Sequence, residues 1–273
     1  MEYTIESRRP LKVFFRELFL YRRLLLTFAW RDLRLKYRQT SIGFAWVVLQ
    51  PLIMMAIFTA VFASRIGTVG GEIPYEVFVF SGLIIYNVFS GGAASGSNVL
   101  VAHADIIKKA YFPRVILPLA SVAVTLVDYL ASLLILIVLM LVLGPEVHIF
   151  HFLLYSITAY VLAALPTLAF GLLFSTLNAR YRDVNLVFPF LLQIMLFVSP
   201  VIYPLQTVEN EGLRTVLLCN PLSGAMEVQK LAVYTGYVPD ITAVTMSLVI
   251  SICLLVAGLF VFNKMEKNFA DII

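Results

Sequence analysis

Residues 28–51, FAWRDLRLKYRQTSIGFAWVVLQP, change character in mid-run. Up to Gln39 the stretch is basic and amphipathic; from Ser41 it is apolar for more than twenty residues. At 1.5 Å per residue, an apolar helix of that length crosses about 30 Å of hydrocarbon. Read as a helix, the first half sets Leu26, Trp30, Leu33 and Tyr37 on one face and Arg31, Arg34 and Arg38 on another. Such a helix lies in a membrane interface, with its apolar face in the acyl boundary and its arginines toward lipid phosphates. The chain is therefore expected to run along a membrane surface, turn at residues 40–43 and go through. The same arginines serve equally as a basic clamp on topology and as a docking face.

The pattern continues along the chain. Apolar runs at 42–64, 77–101, 115–143, 152–177, 186–203 and 241–262 are expected as six membrane spans. Between the fifth and sixth, residues 204–240 are mixed, with apolar pieces at 213–218 and 224–233 that are too short to cross and suit interfacial or re-entrant helices. The chain is 61% hydrophobic and 13% charged, with a mean hydropathy of +0.93. The charged share is about half that of a globular protein, and 273 residues suit one membrane domain, so no separate soluble domain is expected. The fold class is all-α integral membrane, one domain over 1–273: an interface helix within 1–40, spans within 41–262 and a charged tail, 263–273.

Charge decides the topology. Segments 1–40, 102–114, 178–185 and 263–273 hold all but three of the twenty Lys and Arg; Arg65, Arg214 and Lys230 lie on the other side. Basic residues are retained on the cytoplasmic side, so both termini are expected there. Ten of the twenty fall in the first forty residues, which reads as contact with anionic lipid and not with nucleic acid. The apolar patch 24–29 is short and bracketed by arginines, unlike a secretory signal. Cys219 and Cys253 lack metal-ligand spacing, so neither a disulfide nor a metal site is expected.

Self-contained catalysis is not encoded in any recognisable motif. Nothing matches G-x-x-x-x-G-K-[ST], H-E-x-x-H or G-x-S-x-G, and no close His–Cys cluster occurs. His103 falls in a cytoplasmic loop; His148 and His151 flank an outer one. Asp128 is the one ionisable residue well inside an expected span. Its burial costs on the order of 3 kcal/mol on insertion scales, so it should face protein or water. Hydrogen bonding to a Ser, Thr or Tyr is favoured over a transport role, and a proton relay is disfavoured because no second ionisable group lies at depth. Gly92 and Gly96, within SGGAASGS, form a GxxxG that suits close helix packing in lipid. Residues 102–114, AHADIIKKAYFPR, make a short amphipathic piece with Ile106, Ile107, Ala110 and Tyr111 on one face beside Lys108 and Lys109. A bare linker has little need of a Tyr-Phe-Pro cluster, which favours a docking surface for a cytoplasmic partner.

Five motifs then stand in register: FAWRDLRLKYRQTSIGFAW at 28–46, KKAYFPRVILPLA at 108–120, NARYRDV at 178–184, SPVIYP at 199–204 and NPL at 220–222. Together with the six-span layout they resemble the membrane (permease) subunit of ABC-2-type exporters of lipid-linked polysaccharides, such as O-antigen, teichoic acid and capsule. The resemblance implies a homodimer joined to two copies of a cytosolic ABC ATPase subunit, which would hold ATP and Mg; this chain would bind no cofactor of its own. It implies a bacterial cytoplasmic (inner) membrane location and a coupling loop formed by Asp105, Lys108, Lys109, Tyr111, Phe112, Pro113 and Arg114. A second cytoplasmic loop would hold Arg180, Arg182 and Asp183. Ser199, Pro200, Tyr203, Asn220 and Pro221 would belong to an outer gate built around 204–240. On the interface helix, Trp30, Arg31, Arg34, Lys36, Tyr37 and Arg38 are candidates to meet the substrate's lipid pyrophosphate, since guanidinium suits phosphate bidentately. Two other readings stay open. One is an integral membrane transferase on a lipid-linked sugar, for which Asp105, Asp183 and His103 are the near candidates. The other is an ABC-2 permease for drugs or small lipids.

Overall fold

The computed structural model describes residues 19–38, 43–66, 73–143, 148–181, 183–266 and 269, and the statements below concern these. The expected helix start near Leu11, most of the loop at 65–75 and Arg182 lie outside the described residues. The described residues form helices and short connections, with no strand. In chain order these are α1 (Arg22–Arg38), α2 (Ala45–Ile66), α3 (Tyr75–Ala102), α4 (Ala104–Lys109), α5 (Ile116–Leu143) and α6 (Ile149–Arg180). They are followed by α7 (Val184–Phe197), a 3₁₀ turn (Leu205–Thr207), α8 (Glu211–Leu218), α9 (Ser223–Val233) and α10 (Ile241–Met265).

Five of these helices, α2, α3, α5, α6 and α10, are long and apolar enough to cross a bilayer. They answer to the first four and the last of the expected spans. The expected span at 186–203 does not form one helix. α7 has 14 residues, about 21 Å at 1.5 Å per residue and short of the hydrocarbon thickness. The run looks continuous in sequence because the turn after α7 is apolar too. Ser199 donates its hydroxyl back to the Met195 carbonyl at 2.6 Å, and Pro200 has no amide proton to offer a further turn. At the other end, the polar turn expected at 178–185 is shorter than its composition suggests. α6 has 32 residues and holds Asn178 and Arg180 in its last turn.

α3 is the centre of the bundle, packed against α6, α5, α2 and α9. Its small residues explain this. A Cβ on Gly96 would stand 2.9 Å from the Gly171 Cα of α6, and one on Gly92 would stand 2.4 Å from Thr167 Cγ2. Asn178 extends the seam, donating to the Ser97 carbonyl at 3.1 Å and to Asn98 Oδ1 at 2.8 Å. The GxxxG is therefore close packing between α3 and α6, where van der Waals contact replaces the missing hydrophobic drive. Gly96→Val is expected to cost about 1–3 kcal/mol through overpacking, read as a lower unfolding temperature in detergent.

Of the turn expected at 40–43, residues 40–42 lie outside the described residues; Gly43 has φ +56°, the left-handed region that suits glycine. α1 packs on α5. Its inward side is Tyr21, Leu24, Leu25, Phe28 and Ala29, while Leu26 and Trp30 are exposed. The segment after α7 divides in two. α8 is mostly exposed and holds on through Leu217. α9 is buried at every residue but Leu231, so it is a core helix and not an interfacial one.

Candidate functional site

The helix ends expected on the cytoplasmic side meet in one apolar cluster. Phe28 of α1, Val99 and Leu100 of α3, Ile107 of α4, Phe112, Ile116 of α5, Leu172 of α6, and Phe262 and Phe269 all contribute. This cluster sorts the expected coupling residues into two kinds. Asp105, Lys108, Lys109 and Tyr111 are exposed, Tyr111 at 71%. Phe112 and Pro113 are buried. Arg114 faces back into the protein: its amide donates to Glu266 Oε1 at 3.1 Å and its guanidinium to the Glu266 backbone carbonyl. Tyr-Phe-Pro-Arg is thus one exposed ring followed by two buried residues and an arginine that fastens the loop to the end of α10. The apolar face expected over Ile106, Ile107, Ala110 and Tyr111 splits the same way, with Ile107 inside and Ala110 and Tyr111 outside. The helix is only six residues long, so the chain turns away before a second turn of that face can form.

α1 rests on this cluster through a set of contacts that the sequence did not announce. His103, 4% exposed, sits where α3 breaks into α4. Its Nδ1 lies 2.9 Å from the Val99 carbonyl. Its Nε2 faces the Arg31 guanidinium and is 3.5 Å from Asp32 Oδ1. The Phe28 ring meets the imidazole edge-on at 5.5 Å and leans on Phe112 at 5.6 Å. Of the three arginines expected on a lipid-facing stripe, Arg31 is therefore directed inward. Arg34 and Arg38 are exposed, with the Arg34 guanidinium 5.0 Å over the Trp30 ring.

The far end of α1 holds Asp128. Lys36 Nζ lies 2.5 Å from Asp128 Oδ2, and Tyr37 donates its hydroxyl to Oδ1. Burial and the adjacent carboxylate push the Tyr37 phenol up, so it stays a donor. Phe44 packs edge-on against Tyr37 at 5.3 Å. Asp128 thus faces protein, and its side-chain partners are on α1, not on a neighbouring span. In the turn expected as the second cytoplasmic loop, Arg180 and Asp183 are exposed, with Arg180 5.3 Å over Tyr181.

On the opposite side the expected gate residues come together. Asn220 donates to the Val198 carbonyl and to Ser199 Oγ, both at 2.9 Å, and accepts from the Leu222 amide at 2.8 Å. Pro221 is buried and its carbonyl accepts from Ser251 of α10 at 3.3 Å. Tyr203 donates to the Phe197 carbonyl at 3.1 Å, and Pro200 is buried between them in the turn. NPL and SPVIYP are two halves of one hydrogen-bonded corner.

Behind that corner lies a buried charge pair that sequence reading passed over. Glu227 and Lys230 of α9 are 0% and 1% exposed and pair at 3.0 Å. Glu227 also accepts from the Tyr237 hydroxyl at 2.8 Å and the Asp240 amide at 3.2 Å. The Lys230 ammonium stands 4.4 Å over the Phe78 ring of α3. Burial pulls the Lys230 pKa below its ordinary value, against the pull of Glu227; burial and Glu227 together push the Tyr237 phenol up. Between them Gln229 accepts from Tyr129 of α5 at 2.6 Å and donates to Ser156 of α6 at 3.3 Å. The available signal was an ionisable pair at i, i+3 inside an otherwise apolar eleven-residue helix. Among the described residues no three His, Cys, Asp or Glu side chains stand close enough to hold a metal ion.

Comparison with known proteins agrees with this architecture. The ABC-2 type transporter family matches residues 23–234. An O-antigen export system permease protein of Myxococcus xanthus is 28% identical over 94% of this chain and 97% of its own. One from Klebsiella pneumoniae is 26% identical over 92% and 95%. A polysialic acid transport protein of Escherichia coli is 25% identical over 87% and 91%. With a family match from α1 to the end of α9, and five helices of membrane-crossing length, the chain belongs to the ABC-2 type transporter family.

Proposed function

We propose that this chain is the permease subunit of an ATP-driven exporter that carries a lipid-linked polysaccharide outward across the cytoplasmic membrane. Two copies would enclose the pathway, each engaging one cytosolic ATPase subunit. The observation that carries the reading is the near full-length similarity to permeases named for O-antigen export and polysialic acid transport. The cytoplasmic geometry supports it. A transporter with no nucleotide-binding motif needs an outside energy source, and the exposed Asp105, Lys108, Lys109 and Tyr111 stand on a rigid apolar base suited to receive one. On this reading α7 and the corner at 198–222 are the fifth crossing and its re-entrant return, and both termini are cytoplasmic. Arg34 and Arg38, the exposed pair, meet the substrate's pyrophosphate, while Arg31 serves the protein interior.

The test is recovery of the ATPase subunit with a tagged chain from native membranes. Replacing Asp105, Lys108, Lys109 and Tyr111 together with Ala is expected to abolish recovery while the chain still accumulates, because none of the four is buried. An unaltered chain that purifies alone and modifies a lipid-linked sugar without ATP would replace this reading with the transferase. Arg34→Gln with Arg38→Gln is expected to lower export at unchanged ATPase recovery, measured as surface glycan on whole cells.

A further inference from the structure

His103 joins two elements that the sequence separates by 72 residues. The Val99 carbonyl is only an acceptor, so Nδ1 carries the ring proton and donates to it at 2.9 Å. The Arg31 guanidinium is only a donor, so Nε2 accepts from it. Each ring nitrogen thus has one partner, one on the last turn of α3 and one on α1. Asp32 completes the set, 3.3 Å from Arg31 and 3.5 Å from Nε2. The apolar side is equally complete: Phe28 covers the ring edge-on and reaches Phe112 at the far end of the coupling loop. His103 is also the residue at which α3 ends, its own amide bonding to Val99, and at which α4 begins. A displacement of α4 therefore moves the imidazole, and the imidazole is held on α1.

We infer that His103 is a positioning residue for transport, holding the interface helix α1 and the coupling helix α4 as one moving body through Arg31. The inference rests on the exporter reading above. Because His103 is buried, it touches neither the ATPase nor the substrate; its effect is on how much of the ATPase movement reaches α1 and the span that follows it.

The test uses the assembled complex from native membranes and whole cells. His103→Phe keeps a flat ring against Phe28 and removes both nitrogens. Arg31→Gln, at a half-buried position, removes the same link from the other side and carries the test should His103→Phe fail to assemble. ATPase-subunit recovery and phosphate release are measured on the purified complex, and surface glycan is measured by periodate oxidation and hydrazide labelling. Each variant is expected to retain ATPase recovery and lose about tenfold in glycan exported per ATP hydrolysed, the scale of a typical coupling free energy. The double variant is expected to be no worse than either single one, as for groups that act as a unit. Normal export per ATP in both variants overturns the inference, as do losses that multiply in the double variant or ATPase recovery that falls in step with export. Failure to recover any ATPase subunit with the unaltered chain overturns the exporter reading itself.

Discussion

Glu227→Ala is expected to be the most destabilising single substitution around α9, at about 3–5 kcal/mol. The carboxylate is the acceptor for the Lys230 ammonium, the Tyr237 hydroxyl and the Asp240 amide. Without it, the fully buried ammonium keeps, among the described residues, the face of Phe78, and a cation–π contact of about 2 kcal/mol does not balance an unpaired buried charge. The damage spreads because the acceptor ties α9 to the segment 237–240 that leads into α10. Lys230→Met should cost clearly less, since Glu227 retains the Tyr237, Asp240 and Gln206 donors and can take a proton. The pair Glu227→Leu with Lys230→Met should recover part of the loss, because no charge is then stranded, but the Tyr237 and Asp240 donors stay unpaired. Unfolding temperatures of the four proteins in one detergent check this order. A Glu227→Ala protein as stable as Lys230→Met would show that the carboxylate is not the hub the geometry describes.

Lys36→Asp is expected to lower export about tenfold or more, and Asp128→Lys in the same chain to restore much of it. The substitution sets two carboxylates face to face where Lys36 and Asp128 now stand 2.5 Å apart, and leaves Tyr37 with the acceptor alone. Lys36 is 41% exposed at its side chain, so solvent screens the pair and its contribution to stability alone is small. The expected effect is on placement: the last turn of α1 would part from α5 close to where the chain enters α2. Asp128→Ala separates the two roles. It removes an acid from a span and so should insert at least as well, yet it should export poorly. Surface glycan, set against the amount of chain in the membrane, reads both outcomes. Unimpaired export by Lys36→Asp would remove the tie between α1 and α5 from the mechanism.

Much of this molecule was legible before its fold was known. The positions of α2, α3, α5, α6 and α10 follow within a few residues from apolar runs, because bilayer insertion responds to composition summed over about twenty residues. The turn at Gly43 and the close seam at Gly92 and Gly96 were also written locally. The length of α7 was not. Its apolar residues continue past Phe197, and only the Ser199–Met195 and Asn220–Val198 hydrogen bonds reveal the corner. Among the coupling residues, the sequence supplied the segment but not the division into exposed Lys108, Lys109 and Tyr111 and inward Phe112 and Arg114. That division depends on Glu266, 152 residues further on.

The amino-acid sequence by itself determined that the chain crosses a membrane and which of its runs are apolar enough to do so. Those properties are additive over short windows and need no partner. Tertiary structure alone decided where each polar side chain points: Arg31 to His103, Lys36 and Tyr37 to Asp128, Gln229 to Tyr129, Arg114 to Glu266. Apart from the Glu227–Lys230 contact within α9, these partners lie 72 to 152 residues apart. In a low-dielectric interior an unpaired polar group costs several kcal/mol, so such groups find partners, with Thr59 Oγ1 the exception among the described residues. Which partner each finds is settled only when the helices are packed.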